Sequence, residues 1–195
     1  MSSPKPTLLT PGEYLEIERK AEIRSEYIAG RIYAMAGASR RHNLIAGNIL
    51  AALKAQLRGK PCETYMADMR VRVSPTGLYT YPDVIAVCGP PQFEDAFVDT
   101  LLNPTLLVEV LSETTEAYDR GDKFAQYRNL DSLREYVLVS QNKLRVEDYL
   151  RDGERWVLSE VRVRGESIGL TSIGCQIALA AIYEGVDFES AAAGR

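Results

Sequence analysis

Two carboxylates twenty-six positions apart carry the strongest chemical signal in the chain. Asp83 stands near the start of the apolar run Tyr81-Pro82-Asp83-Val84-Ile85-Ala86-Val87, and Glu109 stands inside a second, Leu106-Leu107-Val108-Glu109-Val110-Leu111-Ser112. A residue inside a short β-branched run is usually buried, and a buried carboxylate is costly unless a partner neutralises it. Hard cations such as Mg²⁺ bind one or two protein carboxylates and leave the other positions to water and substrate phosphate. Lys123 follows closely, in the polar segment Tyr118-Asp119-Arg120-Gly121-Asp122-Lys123-Phe124-Ala125-Gln126-Tyr127. Two acid-bearing strands with a lysine behind them predict a divalent-metal site, for Mg²⁺ with Mn²⁺ as a substitute. The simpler alternative puts Asp83 at an exposed strand end and pairs Glu109 with an arginine.

The elements around these residues decide which side chains can join them. A helix is expected over 116–130, with Asp119, Lys123 and Tyr127 spaced i, i+4, i+8 on one face and Gly121 tolerated inside it. Turned toward Glu109, that face brings Asp119 and Tyr127 to the substrate; turned outward, it holds a surface ion pair worth ~0.3–0.5 kcal/mol. Ser39 caps a long helix running to about residue 57, with Ile45, Ile49, Ala52, Leu53 and Gln56 on its buried face. His42, the only histidine, lies near its N-terminus, as a hydrogen-bonded core residue or as a contact to an anionic substrate. Earlier, residues 25–35 read as a hairpin turning at Ala29-Gly30, and Glu26 in its first strand is a third acid, facing either solvent or the site.

The remaining pattern is mixed α/β. Thr10-Pro11-Gly12-Glu13 opens a short helix with a capping box. Strands are expected at 63–65, 69–73, 81–87, 105–111 and 134–140, with a turn at Ser74-Pro75-Thr76-Gly77. A hairpin follows at 144–150 and 155–163, whose acids Glu147, Asp148, Glu154 and Glu160 suit exposed faces. A short strand at 167–170 leads to a closing helical turn at 177–183. One domain over 11–189 is expected, between flexible ends at 1–10 and 190–195.

Composition narrows the classes. The chain has 195 residues, 46% apolar and 26% charged, an ordinary globular mix with enough length for a sizeable core. No apolar run approaches the ~20 residues that span a bilayer. Cys62, Cys88 and Cys175, odd in number and widely spaced, read as reduced core thiols of a cytoplasmic protein. The net charge of −4 argues against a tight, basic-footprint nucleic-acid binder, though not against an enzyme that meets phosphate through a metal. Arg40-Arg41, Arg70/Arg72 and Arg162/Arg164 read as solvated faces.

Taken in order, the segment Glu26-Tyr27-Ile28-Ala29-Gly30-Arg31-Ile32, His42, Tyr81-Pro82-Asp83-Val84, Glu109-Val110-Leu111-Ser112 and Asp119…Lys123…Tyr127 resemble the Uma-two family. That family is placed in the PD-(D/E)xK nuclease superfamily, and the resemblance covers nearly the whole chain. It implies a restriction-endonuclease-like core, a central mixed sheet flanked by helices, here with an N-terminal helix and hairpin and additional C-terminal strands. It further implies Mg²⁺-dependent hydrolysis of phosphodiester bonds in DNA, with Asp83 and Glu109 matching the metal ligands. The superfamily lysine two residues after the second acid is absent, because residue 111 is Leu. Lys123 is the relocated substitute, and Glu26 resembles an additional acid that some members use. A homodimer would supply one centre per strand. Two other readings stand beside the nuclease: a catalytically inactive homodimer that binds nucleic acid or protein, and a structural protein keeping its acids as a hydrogen-bonded pair.

Overall fold

The computed structural model describes residues 8–74 and 76–188. The ends expected to be flexible lie outside these residues apart from 8–10, as does Pro75 of the expected turn. Helix α1 (Pro11–Glu18) begins with the capping box: Thr10 N donates to Glu13 Oε2 (2.7 Å) and Glu13 N to Thr10 Oγ1 (3.3 Å). Strands β1 (Ser25–Ile28) and β2 (Arg31–Ala34) form the hairpin, and Ala29 and Gly30 both take positive φ at its turn. Helix α2 (Arg40–Gln56) starts where Ser39 Oγ accepts from His42 N (3.1 Å).

Two sheets follow. The central one has six strands in the order β11-β10-β9-β8-β6-β3, built from β3 (Cys62–Met66), β6 (Val84–Cys88), β8 (Leu106–Leu111), β9 (Glu135–Ser140), β10 (Val146–Asp152) and β11 (Arg155–Val161). The second has five, β2-β1-β5-β4-β7, adding β4 (Arg70–Val73), β5 (Leu78–Thr80) and β7 (Thr100–Leu101). Within the six-stranded sheet only β8 and β9 are parallel. A parallel pair needs a crossover. Here it is a helix in three parts: α3 (Glu116–Tyr118), a π-helical stretch Asp119–Lys123, and α4 (Phe124–Tyr127). A small hairpin, β12 (Ser167–Leu170) with β13 (Cys175–Ala178), and helix α5 (Leu179–Ile182) close the chain.

The six-stranded sheet is covered on both faces, which is why β6, β8 and β9 read as continuous apolar runs. Ile45, Ile49 and Leu53 of α2 pack with Val84, Val108, Val137 and the β12–β13 hairpin on one face. On the other, Ile85, Leu107 and Leu138 meet Val71 and Leu78 of the five-stranded sheet and Phe124 and Tyr127 of the crossover. The expected mixed α/β core is present, and the fold differs from expectation in several places. The run 81–87 is not one strand: the chain leaves the five-stranded sheet at Thr80 and enters the six-stranded sheet at Val84. Pro82, which cannot donate a ladder hydrogen bond, lies at this break. Ala46 and Leu50, rather than Ala52 and Gln56, complete the buried face of α2. Cys62 and Cys88 are not reduced thiols: antiparallel register sets them opposite each other on β3 and β6, where they form a disulfide, while Cys175 is free and buried. Cysteine usage therefore gives no support to a reducing compartment. Arg70 is 2% exposed, not solvated. Glu147 and Asp148 are buried too, Glu147 in an ion pair with Arg120 and Asp148 beside Glu135. Among the described residues no helix is long and apolar enough to cross a membrane.

The Glu135 carboxylate accepts from Thr171 N (3.0 Å), Ser172 N (3.3 Å) and Ser172 Oγ (2.6 Å), fixing the C-terminal hairpin to the sheet. Burial, and then the neighbouring Glu135, push the Asp148 carboxyl up to about 8. The folded chain thus holds a proton that an unfolded aspartate loses near pH ~4. Stability from this site is fully present at lower pH and is lost as pH rises toward about 8. Urea titrations across pH 5–9 should show this decline in the native chain. In Asp148→Asn, which keeps a neutral donor beside Glu135, the decline should flatten.

Candidate functional site

Strand register brings the two principal acids together. In the antiparallel β6–β8 pair Val84 lies opposite Val108 and Ile85 opposite Leu107, so one further step sets Asp83 across from Glu109. Val110 N donates to Asp83 Oδ2 (2.7 Å) and holds that carboxylate at the strand end. His42 Nε2, from the first turn of α2, lies 3.2 Å from the same oxygen. Glu109 projects to the side of the sheet on which Leu107, Leu111 and the crossover helix pack.

The crossover helix supplies the cation. Lys123 Nζ lies 2.9 Å from Glu109 Oε1, 3.1 Å from Glu26 Oε1 and 3.5 Å from Asp119 Oδ1. Neither Lys123 nor Asp119 is a surface group, at 6% and 3% exposed. Tyr127 OH donates to Glu109 Oε1 (2.8 Å), and Thr80 Oγ1 donates to Glu26 Oε1 while lying 3.4 Å from Tyr127 OH. Glu26 therefore turns inward from the β1–β2 hairpin. The structure gathers Glu26, Asp83, Glu109, Asp119, Lys123, Tyr127 and His42 into one locus, where the five-stranded sheet, the six-stranded sheet and the crossover helix meet.

Electrostatics follow from four carboxylates converging on one lysine and one histidine. Burial opposes the Lys123 ammonium, but Glu109, Glu26 and Asp119 outweigh it and hold its pKa well above the usual lysine value. Burial raises Glu109 well above the ordinary carboxylate range; Lys123 pulls against this, and Asp119 and Asp83 add to it. Asp119 is also raised, first by burial. Burial opposes protonation of His42, yet the hydrogen bond and charge of Asp83 raise its pKa on balance. The Tyr127 phenol, raised well above its usual value by burial and then by Glu109, stays a donor.

The donors are hard oxygens, the ligand type that Mg²⁺ and Mn²⁺ take. Asp83 and Glu109, opposite each other in register, are the carboxylates that would hold such an ion. Among the described residues no group of three His, Cys, Asp or Glu side chains is placed to hold a metal ion, and Mg²⁺ needs only one or two protein carboxylates. Sequence reasoning missed Thr80 and Tyr136. Leu78-Tyr79-Thr80 is β-prone, which was the available signal for Thr80. Tyr136 OH donates to the Asp119 carbonyl (3.0 Å) from inside an apolar strand, where nothing marked it.

Tyr127→Phe removes one buried donor to Glu109 and should destabilise the chain by about 1–3 kcal/mol, read by urea unfolding at pH 7.5. Thr80→Val, which removes a hydroxyl bonded to Glu26 in the same network, should be less than additive with it.

A family model described as "Putative restriction endonuclease", the Uma2 family, matches residues 11–180. An uncharacterized protein of Synechocystis sp. is 36% identical over 189 residues, covering 96% of this chain and 97% of that protein. A second uncharacterized Synechocystis protein is 37% identical over 155 residues, covering 79% of this chain and 88% of its own length. The crystal structure of a "putative nuclease belonging to DUF820" from Anabaena variabilis aligns with a TM-score of 0.75 at 14% identity, over 92% of this chain and 99% of that one. That likeness shows a shared fold, and the extended match to the family model shows that the chain belongs to the Uma2 family.

Proposed function

We propose that the chain is a Mg²⁺-dependent endonuclease hydrolysing phosphodiester bonds in DNA, with Asp83 and Glu109 as metal ligands. The observation that carries this reading is the buried Lys123 ammonium 2.9 Å from Glu109, delivered by a helix although residue 111 is Leu. A bound Mg²⁺ or Mn²⁺ supplies water activation and charge neutralisation at the phosphoryl group. The protein's own residues do the rest. Lys123 stays charged through the neutral range and faces the charge that develops on the phosphate, orienting the attacking water beside Glu109. Tyr127 and Thr80 fix the rotamers of Glu109 and Glu26, and Glu26 is the additional acid of the site. His42 holds Asp83, and Asp119 keeps Lys123 in place. A homodimer would place one centre on each strand of a duplex, and a cytoplasmic location would give access to DNA.

One observation favours the quieter reading of a binding module: Lys123 already pairs with three carboxylates. Calorimetric titration of Mg²⁺ and Mn²⁺, paired with cleavage of single-stranded, duplex and supercoiled DNA, separates the two. The native chain should bind and cleave. Asp83→Asn and Glu109→Gln should each lower cleavage by about 100-fold or more with the fold retained. Metal binding without turnover would favour the binding module. No metal binding, or unchanged rates in both variants, would overturn the assignment.

A further inference from the structure

The six-stranded sheet ends in an edge that the described residues leave uncovered. Strand β11 has β10 as its only neighbour there, and of its seven residues just Trp156 and Val161 are partly buried. An open edge presents a row of N–H and C=O groups and templates pairing with another strand. Proteins blunt such edges with short strands, bulges, proline or lysine. The other edges of the two large sheets are shorter, with five residues in β3, four in β2 and two in β7. β11 carries none of these devices. Its register against β10 runs unbroken from Arg155 to Val161, and it has no proline or lysine. Its charges stand near the ends, at Arg155 and Glu160, while Val157 and Leu158 at its centre are 52% and 51% exposed.

Backbone direction decides what this edge offers. The β10–β11 loop is Gly153-Glu154 alone, so Asp152 and Arg155 close the hairpin by exchanging backbone hydrogen bonds. Every second residue from Arg155 onward repeats that bonding to β10. Trp156, Leu158 and Glu160 therefore turn their N–H and C=O groups outward. Leu158 is also the midpoint of the strand. A two-fold axis at Leu158 pairs the whole of β11 with the same strand of a second copy, antiparallel. The three outward residues of each copy then exchange about six backbone hydrogen bonds across the edge.

The side chains agree with that register. Leu158 meets Leu158 of the partner subunit, and Val157 meets Ser159 of the partner subunit. Just outside the strand, Glu154 falls opposite Arg162 of the partner subunit, a pairing of opposite charge that the axis generates twice. Both residues are exposed, and Arg162, which bonds Glu160 of its own chain (2.7 Å), has guanidinium donors to spare. An axis at Val157 would instead oppose Glu154 to Glu160, two like charges. We infer that β11 is the surface through which two copies of this chain associate, joined edge to edge about a two-fold axis at Leu158. This stands apart from the nuclease reading: β9 and β10 separate β11 from the strand that carries Glu109.

The test is sedimentation velocity of the full chain. A single strand edge is a small interface, at the weak end of specific association, so the native chain should pass from monomer to dimer between about 1 and 200 µM. Leu158→Lys sets like charges opposite each other on the axis and should raise the dissociation constant about 10-fold or more. Met66→Lys, at an equally exposed position on the opposite edge strand β3, should leave it unchanged. Leu158→Cys gives a second reading that does not depend on a charged variant. Two such thiols on the axis, with Cα atoms about 5.5 Å apart, lie within disulfide reach. Oxidised glutathione should link the Leu158→Cys chains into covalent dimers about 10-fold faster than the Met66→Cys chains. A native chain that stays monomeric throughout would overturn the inference and leave the edge to a strand of another protein. Equal association of the native and Leu158→Lys chains, or equal cross-linking of the two cysteine variants, would overturn it as well.

Discussion

A lysine ammonium buried among carboxylates is the constraint around which this molecule is arranged. Lys123 is 6% exposed and Glu109 4%, so neither charge has water to fall back on. Removing one member of such a buried set leaves an uncompensated charge, at a cost of about 3–5 kcal/mol. The chain meets the constraint from three directions at once. Glu109 comes from the six-stranded sheet, Glu26 from the five-stranded sheet and Asp119 from the crossover helix itself. The same contacts that satisfy the ammonium therefore lock two sheets and a helix together. Buried ion networks are not needed for stability as such, since apolar packing of equal volume serves as well.

The local backbone meets the same constraint. The crossover helix contains a π-helical stretch, Asp119–Lys123, and such interruptions of the α ladder recur at functional sites. Adjacent residues Lys123 and Phe124 are both buried there, the lysine against carboxylates and the phenylalanine stacked on Tyr136 at 5.0 Å. Tyr136 also bonds the Asp119 carbonyl, so the aromatic layer beneath the helix supports the polar layer above it. On the opposite flank the break at Tyr81-Pro82 carries the chain from one sheet to the other. That passage leaves Asp83 at a strand end, bonded to Val110 N.

Much of this was legible from residue types and spacing. Caps at Thr10 and Ser39, the Ala29-Gly30 turn and the apolar strands are local signals, and they fixed most elements. The acid pair was legible only as a pair followed by Lys123, because either carboxylate alone has an ordinary explanation at a strand end or in an ion pair. The nearness of Lys123 to Asp119 was legible because the two stand four residues apart on one helix. What escaped the sequence depended on long-range pairing. Cys62 and Cys88 meet only because β3 and β6 are antiparallel in one register. Thr80 joins the site only because the chain changes sheets after it. Arg70, Glu147 and Asp148 looked like surface charges because no local pattern announces that a tertiary partner will cover them.

The most direct test of the central claim is the rate of supercoiled-DNA cleavage in Mg²⁺ by Lys123→Gln, which replaces the ammonium by a shorter, neutral amide. Circular dichroism on the same samples establishes that the variant is folded. If the buried ammonium does the work of the lysine missing from position 111, the folded variant should lose about 100-fold or more of the rate. A folded Lys123→Gln that cleaves as fast as the native chain would contradict the account and leave Lys123 a structural counter-ion.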